Sequence, residues 1–366
     1  MKGIRLMMKK NILVIDDSAL MRRVISDIIE ADHRFRVIGA AINGLAGISM
    51  LQENAGKVDA VILDINMPRM NGLEVLEEIK KQKIDTKVIV VSAVTTQDAV
   101  ETIRALELGA FDFVTKPEGL EELRSNAFSD RLLNCLAVAT KSIISETPGD
   151  IASEIGESEP AVIKKRHLKP VLAKEKLVAI ACSTGGPKAL HTIIPSLPKE
   201  LDAGVVIVQH MPEGFTRSLA NRLNTISNIP VKEAEDGEIL RKGRVYIARG
   251  GCHLCVTKDD KGNHILRFCN EAPRFGLVPC ADVLYESLID TDYDEITCVV
   301  LTGMGSDGSA GISKLYYKKN IHVIAQDSKT SVVYGMPRMI KATGLVDKEV
   351  SLDEVSDAII KNVGVQ

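Results

Sequence analysis

Residues 296–319 read ITCVVLTGMGSDGSAGISKLYYKK. An apolar run, a glycine-rich turn and a helical pattern follow in that order, the strand–turn–helix unit of an open α/β sheet. Within the turn, Gly303, Gly305 and Gly308 meet the G-x-G-x-x-G spacing of a dinucleotide-binding loop, and Asp327 stands about 20 residues on, where a ribose-binding acid would. Asp307 argues against that reading. Its carboxylate falls between the second and third glycines, where it would face a pyrophosphate held at the helix N-terminus. The same glycines suit a different chemistry, giving an acid reach at a strand end and baring backbone N–H groups toward a developing oxyanion.

The pattern extends in both directions. Upstream lie LVAIACS (177–183) and AGVVIVQH (203–210), downstream IHVIAQD (321–327), with a hairpin-like insertion from Arg244 to about Phe268 around DDKGN. The first third of the chain repeats the alternation with NILVID, FRVIGAA, VDAVILD, KVIVVSA and FDFVTK, separated by helical patterns such as SALMRRVISDIIEA. Between them, Ser145 to Pro170 carries three prolines, mixed charges and no apolar period. The expected organisation is a doubly wound α/β domain at 9–141, a linker at 142–172, and a second, mostly parallel α/β domain with an antiparallel hairpin insertion at 173–366. Ligands and reacting groups in such sheets gather at the carboxyl ends of strands.

Composition narrows the function. A net charge of −3, no tryptophan and 4% aromatics disfavour a nucleic-acid partner, which demands a basic face or stacking platforms. Asp16 and Asp17 interrupt the first apolar run before a signal-peptide core is complete, and no run approaches the roughly 20 apolar residues of a membrane span. A cytoplasmic protein without membrane insertion is expected. Seven cysteines, an odd number, suit a reducing compartment. Cys252 and Cys255 form a C-x-x-C without the second pair that zinc would need, and strand alternation turns Cys182 into the core. His191, His253, His264 and His322 read as structural.

In the first domain Asp16 and Asp17 close the first strand, Asp64 the third, Ser92 the fourth and Lys116 the fifth. Carboxylates gathered on one edge repel, and a hard divalent cation such as Mg²⁺ resolves the conflict. With Asp64 as nucleophile toward phosphorus, the cation and Lys116 would neutralise phosphoryl oxygens and Ser92 could bond a third. VIDDS, LDINMP and TKP, in this order, resemble the receiver domain of bacterial response regulators, which has a flavodoxin-like fold. The resemblance implies that Asp64 accepts phosphate from a chemotaxis histidine kinase. It further implies that the Asn66 backbone carbonyl joins Asp17 and Asp64 on the metal and that Lys116–Pro117 is cis.

In the second domain Ser183, His210 and Asp307 each close a strand, a potential nucleophile, base and orienting acid. A serine hydroxyl becomes nucleophilic when an imidazole takes its proton, and a carboxylate on the other ring nitrogen holds the tautomer. STGGP, QHMP, VYIA, LTGMGSDG and AQD followed by TSVVYGMP resemble the catalytic domain of chemotaxis-type protein-glutamate methylesterases, which follow a receiver domain and linker in this order. The resemblance implies hydrolysis of γ-glutamyl methyl esters and deamidation of particular glutamines on methyl-accepting chemoreceptors. It makes Ser183, His210 and Asp307 the triad, with the Met304 amide among the oxyanion donors, Thr184 lining the site, and no cofactor for hydrolysis. Val278, Pro279, Cys280 and Ala281 stand where the family commonly carries His-Arg-Pro-Ser.

Two domains and a linker suggest control: the unphosphorylated receiver covers the Ser183 cleft, and phosphorylation of Asp64 draws the domains apart. The rival readings are a receiver-controlled interaction module without hydrolase activity, a nicotinamide-dependent dehydrogenase using the 303–308 glycines, and a transcriptional regulator. The last would need a basic helix-turn-helix that the acidic, strand-rich second half does not offer.

Overall fold

The computed structural model describes residues 8–117, 119, 126–142 and 175–366, so all but the first residue of the expected linker lies outside the described residues. The chain divides into two compact units, Met1–Glu157 and Ser158–Gln366.

In the first unit, strands β1 (Lys10–Ile15), β2 (Phe35–Ala41), β3 (Ala60–Asp64), β4 (Lys87–Ser92) and β5 (Asp112–Thr115) form a parallel sheet in the order β2-β1-β3-β4-β5. Helices α1 (Ala19–Ala31), α2 (Gly44–Glu53), α3 (Gly72–Lys81), α4 (Thr96–Leu108) and α5 (Asn126–Ala139) cover it. Capping starts them where the sequence places small polar residues. Ser18, Asn43 and Thr95 accept from backbone N–H groups of the first turn, and Asn71 with Glu74 forms a capping box. The strand order reverses between β1 and β3, so Asp16, Asp17 and Asp64 meet at the switch point.

The second unit holds a seven-stranded sheet, parallel throughout, in the order β14-β13-β12-β6-β7-β9-β8. Its strands are β6 (Lys176–Cys182), β7 (Gly204–Gln209), β8 (Val231–Glu233), β9 (Val245–Ile247), β12 (Glu295–Val300), β13 (Ile321–Gln326) and β14 (Lys348–Val350). Helices α6 (Gly186–Ile193), α7 (Phe215–Ile226), α8 (Ala281–Ser287), α9 (Ser309–Tyr316), α10 (Met336–Ala342) and α11 (Val355–Val363) pack on it. The central strands are buried on both faces, which explains their unbroken apolar runs. Here the order reverses between β6 and β12.

Two expectations need correction. The hairpin is narrower than Arg244–Phe268: only β10 (His253–Lys258) and β11 (His264–Cys269) pair antiparallel, while Val245–Ile247 is a fully buried strand paired parallel with β7 and β8. Three-residue strands such as β8, β9 and β14 are too short to show a period, so sheet position alone reveals them. The cysteines are not all free either. Cys255 and Cys269, diagonal neighbours on one face of the hairpin, are joined as a disulfide, and Cys252 of the C-x-x-C remains a thiol. No helix among the described residues is long and apolar enough to cross a membrane.

Candidate active site

Cys182 and Gln209 are register partners at the ends of β6 and β7, so Ser183 and His210 leave adjacent strands side by side. Backbone bonds fix the three strand ends together: His210 N–H donates to Cys182 O at 3.1 Å and Ser183 N–H to Thr302 O at 3.0 Å. Two glutamines at strand ends lock the loops. Gln209 Nε2 donates to Ser183 O (3.0 Å) and His210 O (3.2 Å), and Gln326 Oε1 accepts from Thr302 N–H (2.8 Å). Gly186 makes room for this, because a Cβ there would lie 2.0 Å from Gln209 Oε1.

His210 Nε2 lies 2.7 Å from Asp307 Oδ2, a contact between residues 97 apart in sequence. Asp307 is buried, and its carboxylate sits on the N-terminus of α8. Oδ2 also accepts from Ala281 N–H (2.6 Å), while Oδ1 accepts from Asp282 N–H (2.9 Å), Gly308 N–H (2.9 Å) and the Cys280 thiol (3.0 Å). The first-turn amides of α8, left without intrahelical acceptors, thereby find one. Burial alone would raise the Asp307 pKa; the hydrogen bond and charge of His210, with the Ala281 amide and Cys280 thiol, outweigh it and hold the carboxyl at about 2. Next door, burial and the charge of Asp307 push Asp282 up to about 6 against the Gly311 amide that its Oδ1 accepts at 2.6 Å.

The Ser183 hydroxyl itself makes no hydrogen bond among the described residues, so the structure joins His210 to Asp307 but only brings Ser183 beside them. Contacts between nucleophile and base commonly tighten only when substrate binds. Thr184 lies between Ser183 and the positive-φ Gly185, its carbonyl accepting from the Thr302 hydroxyl at 2.9 Å. Met304 is 46% exposed in the turn between Gly303 and Gly305. Asp327, the would-be ribose acid, instead accepts from the Thr330 amide and hydroxyl in its own turn. His253 is buried, taking Cys280 N–H at Nδ1 (3.2 Å) with Nε2 near Ala272 O (3.3 Å).

Thr302, Gln209, Gln326, Cys280, Asp282 and His253 all support the site, and sequence reasoning assigned none of them a role in it. The available signal was a polar residue closing an apolar buried strand, as in GVVIVQ and IHVIAQ. The partners of Cys280 and Asp282 exist only through the fold.

At the corresponding edge of the first unit, carboxylate atoms of Asp16, Asp17 and Asp64 lie within 4.8 Å of one another. Lys116 Nζ is 2.8 Å from Asp64 and 3.2 Å from Asp16. Burial raises the Asp64 pKa, opposed by Lys116 and assisted by Asp16 and Asp17; burial would lower that of Lys116, but Asp64 and Asp16 raise it. Asp16 is buried, with Lys116 as the charge that faces its Oδ2. Three clustered carboxylates, more negative charge than the single Lys116 ammonium offsets, fit a hard cation. Ser92 ends β4 at the same edge, its Oγ accepting from Thr102 at 2.8 Å, and the Asn66 side-chain amide donates to Asp98. Lys116–Pro117 is not cis; the cis bond among the described residues is Val278–Pro279. Lys116 reaches both acids without it.

Two family models match: response regulator receiver domain over residues 12–128 and CheB methylesterase over residues 178–359. A protein-glutamate methylesterase/protein-glutamine glutaminase of Geobacillus kaustophilus is 42% identical over 353 residues, 96% of this chain and 98% of that one. Its Bacillus subtilis namesake is 40% identical over 95% of this chain and 97% of its own. The crystal structure of the Thermotoga maritima CheB methylesterase catalytic domain superposes with a TM-score of 0.50 at 39% identity, covering 52% of this chain and 99% of that one. The chain belongs to the CheB methylesterase family, with a response regulator receiver domain ahead of the methylesterase domain.

Proposed function

We propose that the chain is a phosphorylation-controlled serine hydrolase that removes methyl esters from glutamates, and deamidates glutamines, on methyl-accepting chemoreceptors. The observation that carries this reading is the His210–Asp307 pair, its acid buried, at the sheet's switch point beside Ser183. Nε2 of His210 is committed to Asp307, which leaves Nδ1 to take the Ser183 proton. Ser183 Oγ then attacks the ester carbonyl, the oxyanion is met by the Met304 amide, and the proton returns through His210 as methanol leaves. Water repeats the sequence to free the glutamate. With a glutamine substrate the leaving group is ammonia. Thr184 lines the approach to Ser183.

In the first unit Asp64 is the phosphoacceptor, supplied by the chemotaxis histidine kinase. Asp16, Asp17, Asp64 and the Asn66 carbonyl would hold Mg²⁺, which contributes charge neutralisation when bound. Lys116 neutralises a phosphoryl oxygen, and Ser92 would turn its hydroxyl from Ala93 O to reach another. Near-complete switching requires about 5.5 kcal/mol of differential stabilisation, more than one phosphate typically supplies, so graded relief is expected.

The test is methanol release from membranes carrying methylated receptors, with and without a small phosphodonor. Wild type is compared with Ser183→Ala and Asp64→Ala. Loss of release in Ser183→Ala, with an unchanged melting temperature, is expected; full activity in that variant refutes the assignment.

A further inference from the structure

The 280–282 segment cradles Asp307: the Cys280 thiol and the Ala281 and Asp282 amides all meet its carboxylate. Cys280 is fully buried, in an apolar cluster with Cys255 and Val283 flanked by Cys269 and Leu277. Among the described residues, its one polar side-chain contact is the 3.0 Å approach of Sγ to Asp307 Oδ1. Asp307 offers no spare acceptor that would excuse a chance contact: its two oxygens already take three backbone amides and His210. The Cys280 amide is itself tethered to His253, so the thiol's direction is set from behind.

We propose that Cys280 is a positioning residue for the His210–Asp307 pair, its thiol holding Oδ1 in place and drawing off part of the negative charge that Oδ2 presents to the imidazole. Burial, then the neighbouring Asp307 charge, push the thiol up to about 12, so the S–H donor persists at neutral pH. The groups facing Asp307 are His210, Cys280, Asp282 and the buried Tyr285, whose phenol is committed to Ala179 O and Val299 O. None of the others can replace the thiol at Oδ1. Asp282 carries the same sign, Tyr285 is engaged elsewhere, and His210 is on Oδ2.

The consequence has a sign. Without the thiol, Asp307 presents more charge to His210, the protonated ring is favoured, and the base is lost at higher pH. A hydroxyl, a stronger donor, does the opposite or preserves the wild-type profile. The proposal rests on the triad reading above, and the two can fail separately.

The experiment measures kcat and KM for methanol release against pH in the full chain for wild type, Cys280→Ala, Cys280→Ser and Val283→Ala. The Val283 side chain lies in the same cluster and has no donor, so truncating it reports packing alone. Expected is an acid limb moved upward by a few tenths of a pH unit or more in Cys280→Ala. That variant should show a several-fold fall in kcat and an unchanged KM. Cys280→Ser should stay at or below the wild-type limb, and Val283→Ala should lower the melting temperature without moving the profile. An unmoved profile in Cys280→Ala, or an equal shift in Val283→Ala or Cys280→Ser, overturns the proposal while leaving the triad intact. Activity surviving in Ser183→Ala overturns the triad itself.

Discussion

Replacing Asp307 by Asn tests the site at its most constrained point. The carboxylate serves five donors, Oδ2 taking His210 and the Ala281 amide, Oδ1 taking Asp282, Gly308 and the Cys280 thiol. Whichever oxygen becomes the side-chain NH₂, that group faces at least one fixed backbone N–H, two on the Oδ1 side. Each buried donor left unpaired costs about 1–3 kcal/mol, so a loss on the order of 2–5 kcal/mol at neutral pH is expected. The pH dependence gives an independent measure. Asp307 is held at about 2 when folded, against roughly 3.9 in an unfolded chain. A depressed acid stabilises the fold above its unfolded value, and this contribution, on the order of 2–3 kcal/mol, fades as pH falls from about 4 toward 2. Asp307→Asn should therefore lose stability most at neutral pH and converge on wild type in acid. Catalytically, an NH₂ placed against Nε2 favours the tautomer with its proton on Nδ1, which cannot accept from Ser183, and kcat should fall by roughly 10⁴. Methanol release and thermal melts from pH 2 to 8 read both effects. A folded variant keeping kcat within tenfold of wild type would show that Asp307 does not orient the base.

Other consequences are as direct. Asp282 runs the opposite way from Asp307: its folded value of about 6 lies above the unfolded one, so the stability tied to it is present below about pH 4 and lost as pH rises through 6. Asp282→Asn, which keeps an acceptor for the Gly311 amide, should raise the melting temperature at pH 7–8 and leave it unchanged at pH 4. Gly186→Ala would force a Cβ 2.0 Å from Gln209 Oε1 and 3.0 Å from the Cys182 Cβ, and should cost about 1–3 kcal/mol together with much of kcat. Stimulation by a small phosphodonor should vanish in Asp64→Ala and on chelating Mg²⁺, with unstimulated methanol release unchanged; stimulation surviving in Asp64→Ala would place the phosphoacceptor elsewhere.

Much of this architecture is local information. Long apolar runs such as VILD, VVIV and TCVV, punctuated by Ser, Asn and Thr caps, specify strands and helices within windows of ten to fifteen residues, and charged or nucleophilic residues at strand ends name the edge where chemistry belongs. Ser183, His210 and Asp307, like Asp16, Asp17, Asp64 and Lys116, were therefore legible as separate points. The short strands β8, β9 and β14 were not, because a three-residue run has no period; nor was the disulfide of Cys255 with Cys269 rather than Cys252, which depends on hairpin register.

What the amino-acid order determined alone was the α/β class, the strand ends and the residue types waiting on them, since backbone propensity and apolar period act over a few neighbours. What only the tertiary structure decided was who meets whom: that α8 offers its first amides and the Cys280 thiol to an acid about 25 residues downstream, and that His253 holds that segment from behind. Such contacts arise when strands far apart in the chain become neighbours in a sheet, and no local pattern encodes them.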